Sequence, residues 1–220
     1  MDVQALLLTL RLAATTTAIL LAISVPLAWW ITRGHGPVRA VVQAVIALPL
    51  VLPPTVIGFY LLVALGPLTA LGRILIRWIG HPLAFSFTGL LVGSLVYSLP
   101  FAVQPLVAGF QSIDRDLLEA TSLLGSSPLA TLLNVVLPLS RVALLNAAVL
   151  TFTHTVGEFG VVLMLGGNIP GSTRTLSISL FDQVEDGRYA DANHTALLLL
   201  TFAIISLIAI YGKRGWRRLD

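Results

Sequence analysis

The 220-residue chain has no cysteine, a single lysine and few charges of either sign. Without cysteine it can build no disulfide framework, no thiolate metal site and no thiol nucleophile. Its lysine, Lys213, stands in "YGKRGW", so the Gly-x-x-x-x-Gly-Lys-Ser/Thr loop that cradles nucleotide phosphates is missing, and any ATP must be held by another polypeptide. Charged residues make up 10% of the chain, against about 25% in an ordinary soluble domain, and 56% of it is hydrophobic. That composition belongs to an integral membrane protein whose first partner is the lipid bilayer. The pI near 9.8 does not imply a nucleic-acid partner, because the arginines are scattered between apolar runs rather than gathered on one face.

A bilayer core about 30 Å thick is crossed by about 20 apolar residues in a helix. Five runs satisfy this, near Gln4 to Ile31, Val41 to Leu65, Leu83 to Phe110, Val142 to Leu165 and Ala192 to Tyr211. The first carries Asp2 and no lysine at its start and exceeds the roughly 7 to 15 apolar residues of a signal peptide, so it reads as a retained span. The expected fold is therefore an all-α polytopic membrane protein of about five transmembrane helices, forming a single domain over 1–220. The positive-inside bias places Arg33, Arg39, Arg115, Arg141, Lys213, Arg214, Arg217 and Arg218 in the cytoplasm, with the N-terminus outside and the C-terminus inside. Arg11, Arg73, Arg77, Arg174 and Arg188 then fall outside or at the outer boundary. Trp29, Trp30, Trp78 and Trp216 fall near span ends, where indole rings favour the water boundary.

The second run contains "LPLVLPPTVIG", residues 48–58. Its Pro49, Pro53 and Pro54 each remove a backbone donor and crowd the preceding turn, so this helix should bend or break near mid-membrane. Broken backbone persists there only where protein or a watery cavity satisfies the freed carbonyls, and it often marks a substrate path. A kink that only shapes packing is the equal alternative. The third run adds "YSLPFAVQP", with Tyr97, Ser98, Pro100, Gln104 and Pro105. Two bent, partly polar spans suggest a pathway. Thr15, Thr16 and Thr17 either line it or bond back to their own helix, and Gly89 and Gly93 make a Gly-x-x-x-Gly step that permits close helix contact.

Between the third and fourth runs, the 112–138 segment is only weakly charged. Asp114 or Asp116 can cap a helix in which Leu117, Ala120, Thr121 and Leu124 recur at helical spacing, and Gly125 supplies a stop. Ser127 can cap a second helix with Pro128 at its first position, then Leu129, Leu132, Leu133 and Val136 on one face before Pro138 ends it. Two short helices lying on the inner leaflet are the alternative, but such anchors are typically rich in lysine and arginine, whereas the polar positions here are Glu119, Ser122, Ser126, Thr131 and Asn134.

This segment resembles the signature of the permease subunits of binding-protein-dependent ABC importers: Glu-Ala-Ala, three residues, Gly, nine residues, then Ile-x-Leu-Pro. Glu119, Ala120, Thr121, Gly125, Val135, Leu137 and Pro138 keep the whole spacing, with Thr121 for the second alanine and Val135 for the isoleucine. The resemblance implies a type I importer-like permease in a bacterial or archaeal cytoplasmic (inner) membrane. It also implies that 112–138 is a cytoplasmic coupling loop docking into a separate ATPase, Glu119 facing that ATPase. The partners implied are a second copy of the chain, two ATPase subunits that bind ATP and Mg, and an extracytoplasmic substrate-binding protein. No cofactor or catalytic residue is expected in the chain itself.

Two further stretches, "LPLVLPPTVIGFYLL" (48–62) and "VGEFGVVLMLGGNIPGSTRT" (156–175), resemble the molybdate permease branch, while sulfate, thiosulfate and tungstate permeases share parts of the second. The implied cargo is molybdate, with tungstate handled by the same systems and sulfate or thiosulfate as the alternative. A tetrahedral dianion in transit asks for amide and hydroxyl donors with modest positive potential, since tight binding would stall release. Pro53, Pro54, Thr55, Ser98 and Gln104 are the pathway candidates, and Arg174 a candidate for drawing anions to the entrance. His154 and Glu158, four apart, would share a helix face and form a structural hydrogen-bonded pair or bond to a neighbouring helix. A membrane-embedded enzyme using them as acid and base is the reading from another class, but the sequence offers no nucleophile or metal set beside them. No metal site is expected. At a helix centre a carboxylate costs about 2.5 to 3.5 kcal/mol on insertion scales, so Glu158 should face protein or water.

Overall fold

The computed structural model describes residues 2–34 and 36–216, with side chains through Ile210. Lys213, Arg214, Trp216, Arg217 and Arg218 therefore lie outside the described side chains. All regular structure among the described residues is helical: α1 (Val3–Thr32), α2 (Pro37–Ala47), α3 (Pro54–Ala64), α4 (Ala70–Ile79), α5 (Phe87–Gln111), α6 (Arg115–Leu123), α7 (Pro128–Thr131), α8 (Leu137–Leu139), α9 (Arg141–Gly157), α10 (Gly160–Gly166), α11 (Leu176–Glu185) and α12 (Tyr189–Trp216). Side-chain oxygens start two of the long helices where the first amides lack partners. Asp2 accepts from the Ala5 amide at 3.0 Å to open α1, and Ser86 accepts from the Gly89 amide at 3.2 Å to open α5.

By length and hydropathy α1, α5 and α12 can each cross a membrane alone, and the count rises to five if each of two bent pairs is one span. The first bent pair joins Pro37–Leu50 to Pro54–Ala64 through a turn of 111°. This is the break expected from the proline run: Pro53 is extended and Pro54 opens the new helix, so two consecutive residues offer no amide to continue the old one. The second pair joins Pro128–Leu139 to Arg141–Gly157 at 78°.

The core is a bundle of α1, α5 and α9. Arg11 lies over the Phe87 ring at 4.4 Å, and Trp29 meets Phe110 edge-on at 6.4 Å, so α1 and α5 run parallel. α9 runs against them, with Ala143 beside Gly109 at one end and His154 bonded to Ser98 further along. Ala28, Leu106, Phe110 and Ala147 close one end of the bundle together with Leu132 and Val136 from the 112–138 segment. Leu12, Leu90, Val162 and Ile178 close the other.

Two local expectations change, and one of the two readings of Thr15 is selected. Gly93 does admit a neighbouring helix, since a Cβ there would meet Leu165 and Val161 of α10, but Gly89 makes room for the Leu83 carbonyl of its own loop. Thr15 donates back to the Arg11 carbonyl at 2.7 Å rather than facing a path. The fourth span stops being a helix at Glu158, which is extended, and restarts as α10. The polar stretches outside the spans also contain α4 and α11, whose caps are legible afterwards: Thr69 and Thr175 accept from the amides two residues into each helix, and Gly80 closes α4 in the left-handed conformation.

The tightest approach between long helices is at Gly109, where a Cβ would stand 2.3 Å from that of Ala143. Gly109→Val should therefore force α5 and α9 apart and cost about 1 to 3 kcal/mol, as overpacked cores do. Gly157→Ala, where nothing lies within 4 Å of an added Cβ, is the matched control. Thermal unfolding in detergent followed by size-exclusion chromatography should show a lowered midpoint for the first variant and little change for the second.

Candidate functional site

The break between α2 and α3 meets the break between α9 and α10. A Cβ on Gly160, the first residue of α10, would sit 3.0 Å from Pro54, the first residue of α3, and 3.4 Å from the Thr55 amide. Further along, Gly58 lets α3 close onto Met164 and Val161. Glycine suits both positions because an added Cβ would run into the Pro54 ring at one and the Met164 side chain at the other, with backbone atoms of Thr55 and Val161 close behind.

Breaking a helix inside a membrane frees polar groups that lipid cannot satisfy. Here neighbouring helices supply the partners. The Glu158 carbonyl, released by the end of α9, accepts from the Ser177 hydroxyl of α11. The Glu158 carboxylate accepts from Ser94 of α5 at 2.7 Å, while its other oxygen has no partner. Thr9 of α1 donates to the Ala5 carbonyl at 2.7 Å and accepts from the Leu176 amide at 2.8 Å, tying the start of α11 to α1. Glu158 is 3% exposed, the only acidic or basic side chain among those described that is fully buried.

His154 and Glu158 do not bond to each other. The helix that would have aligned them ends between them, and each bonds instead to a serine of α5, the neighbouring-helix alternative. His154 stacks on Phe101 at 3.8 Å between ring centres, with Tyr97 at 4.9 Å on a tilt, and its Nδ1 lies 2.9 Å from Ser98 Oγ. No group of three or more His, Asp or Glu side chains among the described residues is placed to hold a metal ion.

The pathway candidates separate. Pro53, Thr55 and Gln104 are exposed and Pro54 is half-buried. Ser98 is 0% exposed and is bonded to His154 and to Thr155 at 3.0 Å, so it fastens α5 to α9 and lines nothing open. Gln104 faces a cavity of about 430 Å³ between α2 and α5, shared with Gln43 and Gln111.

Arg174 is not a free charge for attracting anions. It pairs with Asp182 at 3.1 Å and donates to Asn168 at 2.7 Å, while the Asn168 amide donates to both Asp182 oxygens. The carboxylate in this closed ring cancels the field that an unpaired arginine would present.

In the 112–138 segment, Asp114 caps α6 and Ser127 caps α7, with Gly125 between them at φ +76°. The second helix passes through one wide π turn, Leu132–Val136, and runs on through α8 to Ser140. Pro138 thus lies inside the last turn instead of ending it: widening the turn ahead of a proline relieves the clash of its ring with the carbonyl four residues back. The inward face is also narrower than its apolar spacing suggests. Leu118, Leu132 and Val136 pack against the bundle, whereas Leu117, Leu129 and Leu133 are exposed. Thr121 and Thr131 approach at 3.5 Å across the two helices. Glu119 is exposed, and at the tip Leu123 and Leu124 are 89% and 85% exposed. This leucine pair was hidden because spacing assigned Leu124 to the packed face; its signal was the Gly125 stop, which sets both leucines at the tip between α6 and α7.

The chain matches the family model described as "Binding-protein-dependent transport system inner membrane component" over residues 14–212. It is similar to the molybdenum transport system permease protein ModB of Azotobacter vinelandii, 48% identical over 217 residues, which are 98% of this chain and 96% of that protein. It is also similar to the probable sulfate transport system permease protein cysT of Zygnema circumcarinatum, 34% identical over 210 residues, 94% of this chain and 72% of that one. Among solved structures, a bacterial ABC transporter involved in the import of the acidic polysaccharide alginate has the same fold, with a TM-score of 0.75 at 18% identity over 98% of this chain and 78% of its own. Broken apolar spans and a helical segment that keeps the permease signature, matched by the family over nearly the whole length, place the chain among the binding-protein-dependent transport system inner membrane components, as a multi-pass inner-membrane transport subunit.

Proposed function

We propose that this chain is the permease of an ATP-driven importer that carries molybdate, with tungstate as a second cargo, into the cytoplasm. The observation that carries the reading is the 48% identity, over almost all of both chains, to a protein named for molybdenum transport, against 34% to one named for sulfate. Sulfate or thiosulfate remains the second reading on the strength of that weaker match. Two copies of the chain would enclose the path, two ATPase subunits would bind ATP and Mg, and a binding protein would deliver the anion from outside. The N-terminus lies outside and the C-terminus in the cytoplasm, which sets Arg33, Arg39, Arg115 and Arg141 on the cytoplasmic side.

In this scheme the 112–138 segment docks into the ATPase through Glu119, Ala120, Thr121 and the exposed Leu123 and Leu124, with Gly125 making the turn. Val135, Leu137 and Pro138 carry the motion into the bundle: Leu132 and Val136 beside them already pack on the ends of α1 and α5, so a push on the tip moves those helices as a body. Thr55 at the start of α3, next to the meeting point of the two breaks, and Gln104 offer neutral donors to an anion in transit. Loading outside and release inside follow from alternating access around that meeting point.

ATP hydrolysis in liposomes holding this chain, its ATPase and its binding protein should rise with molybdate or tungstate and stay flat with sulfate; a response to sulfate alone would change the cargo, and none to any oxyanion would sink the reading. Glu119→Lys should leave the protein in the membrane at normal level but cut capture of the ATPase by about tenfold, as charge reversal at a docking surface does. Undiminished capture would remove Glu119 from the contact. Thr55→Trp should lower molybdate uptake by about tenfold or more while capture of the ATPase is kept, by obstructing the path rather than the coupling. Unchanged uptake would take Thr55 off the path.

A further inference from the structure

Three arginines from three elements converge on one cavity. It measures about 420 Å³ and is walled by Trp29 and Arg33 at the end of α1, Arg39 and Gln43 of α2, and Gln111 and Arg115 at the junction of α5 and α6. Two of the arginines are held by aromatic faces and backbone instead of by acids. Arg33 lies over the Trp29 ring at 5.3 Å, and Arg39 over the Trp30 ring at 4.9 Å, its Nε donating to the Trp30 carbonyl at 3.0 Å. The Arg39 guanidinium rests on Gly34, where a Cβ would stand 2.6 Å from its Nη1.

The ion pairs among the described residues join Arg174 and Arg188 to Asp182, Asp186 and Asp191, and none involves these three arginines. Asp114 and Asp116 flank Arg115 in sequence but are not among the residues that wall the cavity. Glu119 faces an adjoining cavity of about 310 Å³ that shares Arg33 and Arg115. In addition, the indole Nε1 of Trp29 is buried without a hydrogen-bond partner. Among the described residues the wall thus offers guanidinium and amide donors and no carboxylate.

Forked guanidinium donors around one space suit a tetrahedral oxyanion, which accepts from several directions at once. We propose that the Arg33, Arg39 and Arg115 cavity binds a tetrahedral oxyanion group, either the free anion in transit or the phosphate of an acidic lipid headgroup. Gln43 and Gln111 line both this cavity and the one facing Gln104, so a track of amides leads from within α5 to the arginines. That continuity makes the site the release end of the path, a placement that rests on the oxyanion-importer reading; the binding itself does not. The cost of such a site is slow release, and the three arginines are met only after the neutral amides, where an anion is leaving.

The test uses the assembled permease and ATPase in nanodiscs, without binding protein or nucleotide. Equilibrium binding of radiolabelled sulfate and of molybdate is measured in phosphatidylcholine discs and again in discs containing phosphatidylglycerol, with native mass spectrometry counting retained phosphatidylglycerol. Wild type should bind anion saturably, and the Arg33→Gln/Arg39→Gln variant about tenfold more weakly, with no loss for Trp29→Phe, whose buried indole nitrogen does not open onto the cavity. Free-anion binding that phosphatidylglycerol does not displace identifies the anion in transit. Displacement, with phosphatidylglycerol retained by wild type and lost by the variant, identifies the headgroup. Equal retention of free anions and of phosphatidylglycerol by wild type and the arginine variant would overturn the site. Loaded binding protein failing to stimulate ATP hydrolysis would sink the importer reading instead and leave these isotherms untouched.

Discussion

A carboxylate held inside a membrane protein must find partners within the protein, and the Glu158 carboxylate and carbonyl between them bind α5 and α11 to the point where α9 gives way to α10. Lipid offers no hydrogen bond, so each group freed by that break has to be met by a neighbouring helix. Ser94 and Ser177 do so, and Thr9 extends the tie to α1. The same helices that form the apolar bundle are therefore fastened at the break by hydroxyls, which are short enough to let the backbones stay close. The break can then be rigid, which a bare kink would not be.

Rigidity at that point matters because the other interrupted span leans on it. The Pro54 ring packs directly on Gly160, so α3 cannot move along its length without displacing α10. At the opposite end of the bundle, Leu132 and Val136 share one cluster with Ala28, Leu106, Phe110 and Ala147. A displacement applied to the 112–138 segment thus reaches α1, α5 and α9 through packed side chains and arrives at the paired breaks through the hydroxyl ties, a contiguous physical connection in which both ends are solid.

Much of this was legible in the sequence where a single residue type carries a backbone consequence. Pro53 and Pro54 announced the sharp turn before α3, and Ser127, Pro128 and Gly125 outlined the helical hairpin, because a missing amide, a cap and a left-handed turn are local properties. The break at Glu158 was not legible: "VGEFG" has glycines but no proline, and what accommodates the open helix there is tertiary, the reach of Ser177 for a carbonyl that a continuous helix would have kept to itself. Ser98 and Arg174 were misplaced for the same reason. A serine beside prolines looks open until His154 and Thr155 occupy it, and a loop arginine looks free until Asp182, eight residues on, closes on it. Periodicity also overstated the packed face of the hairpin, since a helix lying across the end of a bundle buries a narrower stripe than one lying along it.

The distribution of charge follows from the demands of moving an anion through such a frame. A fixed arginine midway would hold a dianion too well, whereas hydroxyls and amides replace part of its water without trapping it. The described interior agrees with that constraint: its buried polar residues are threonine, serine, glutamine and one carboxylate already engaged by Ser94, and no arginine is among them. Arginine appears where the helices end, beside Trp29 and Trp30, close enough to water for a bound anion to exchange. Glu158 is bonded to Ser94 through its carboxyl group and to Ser177 through its carbonyl, so that the one acidic side chain buried in the described interior serves the helix break.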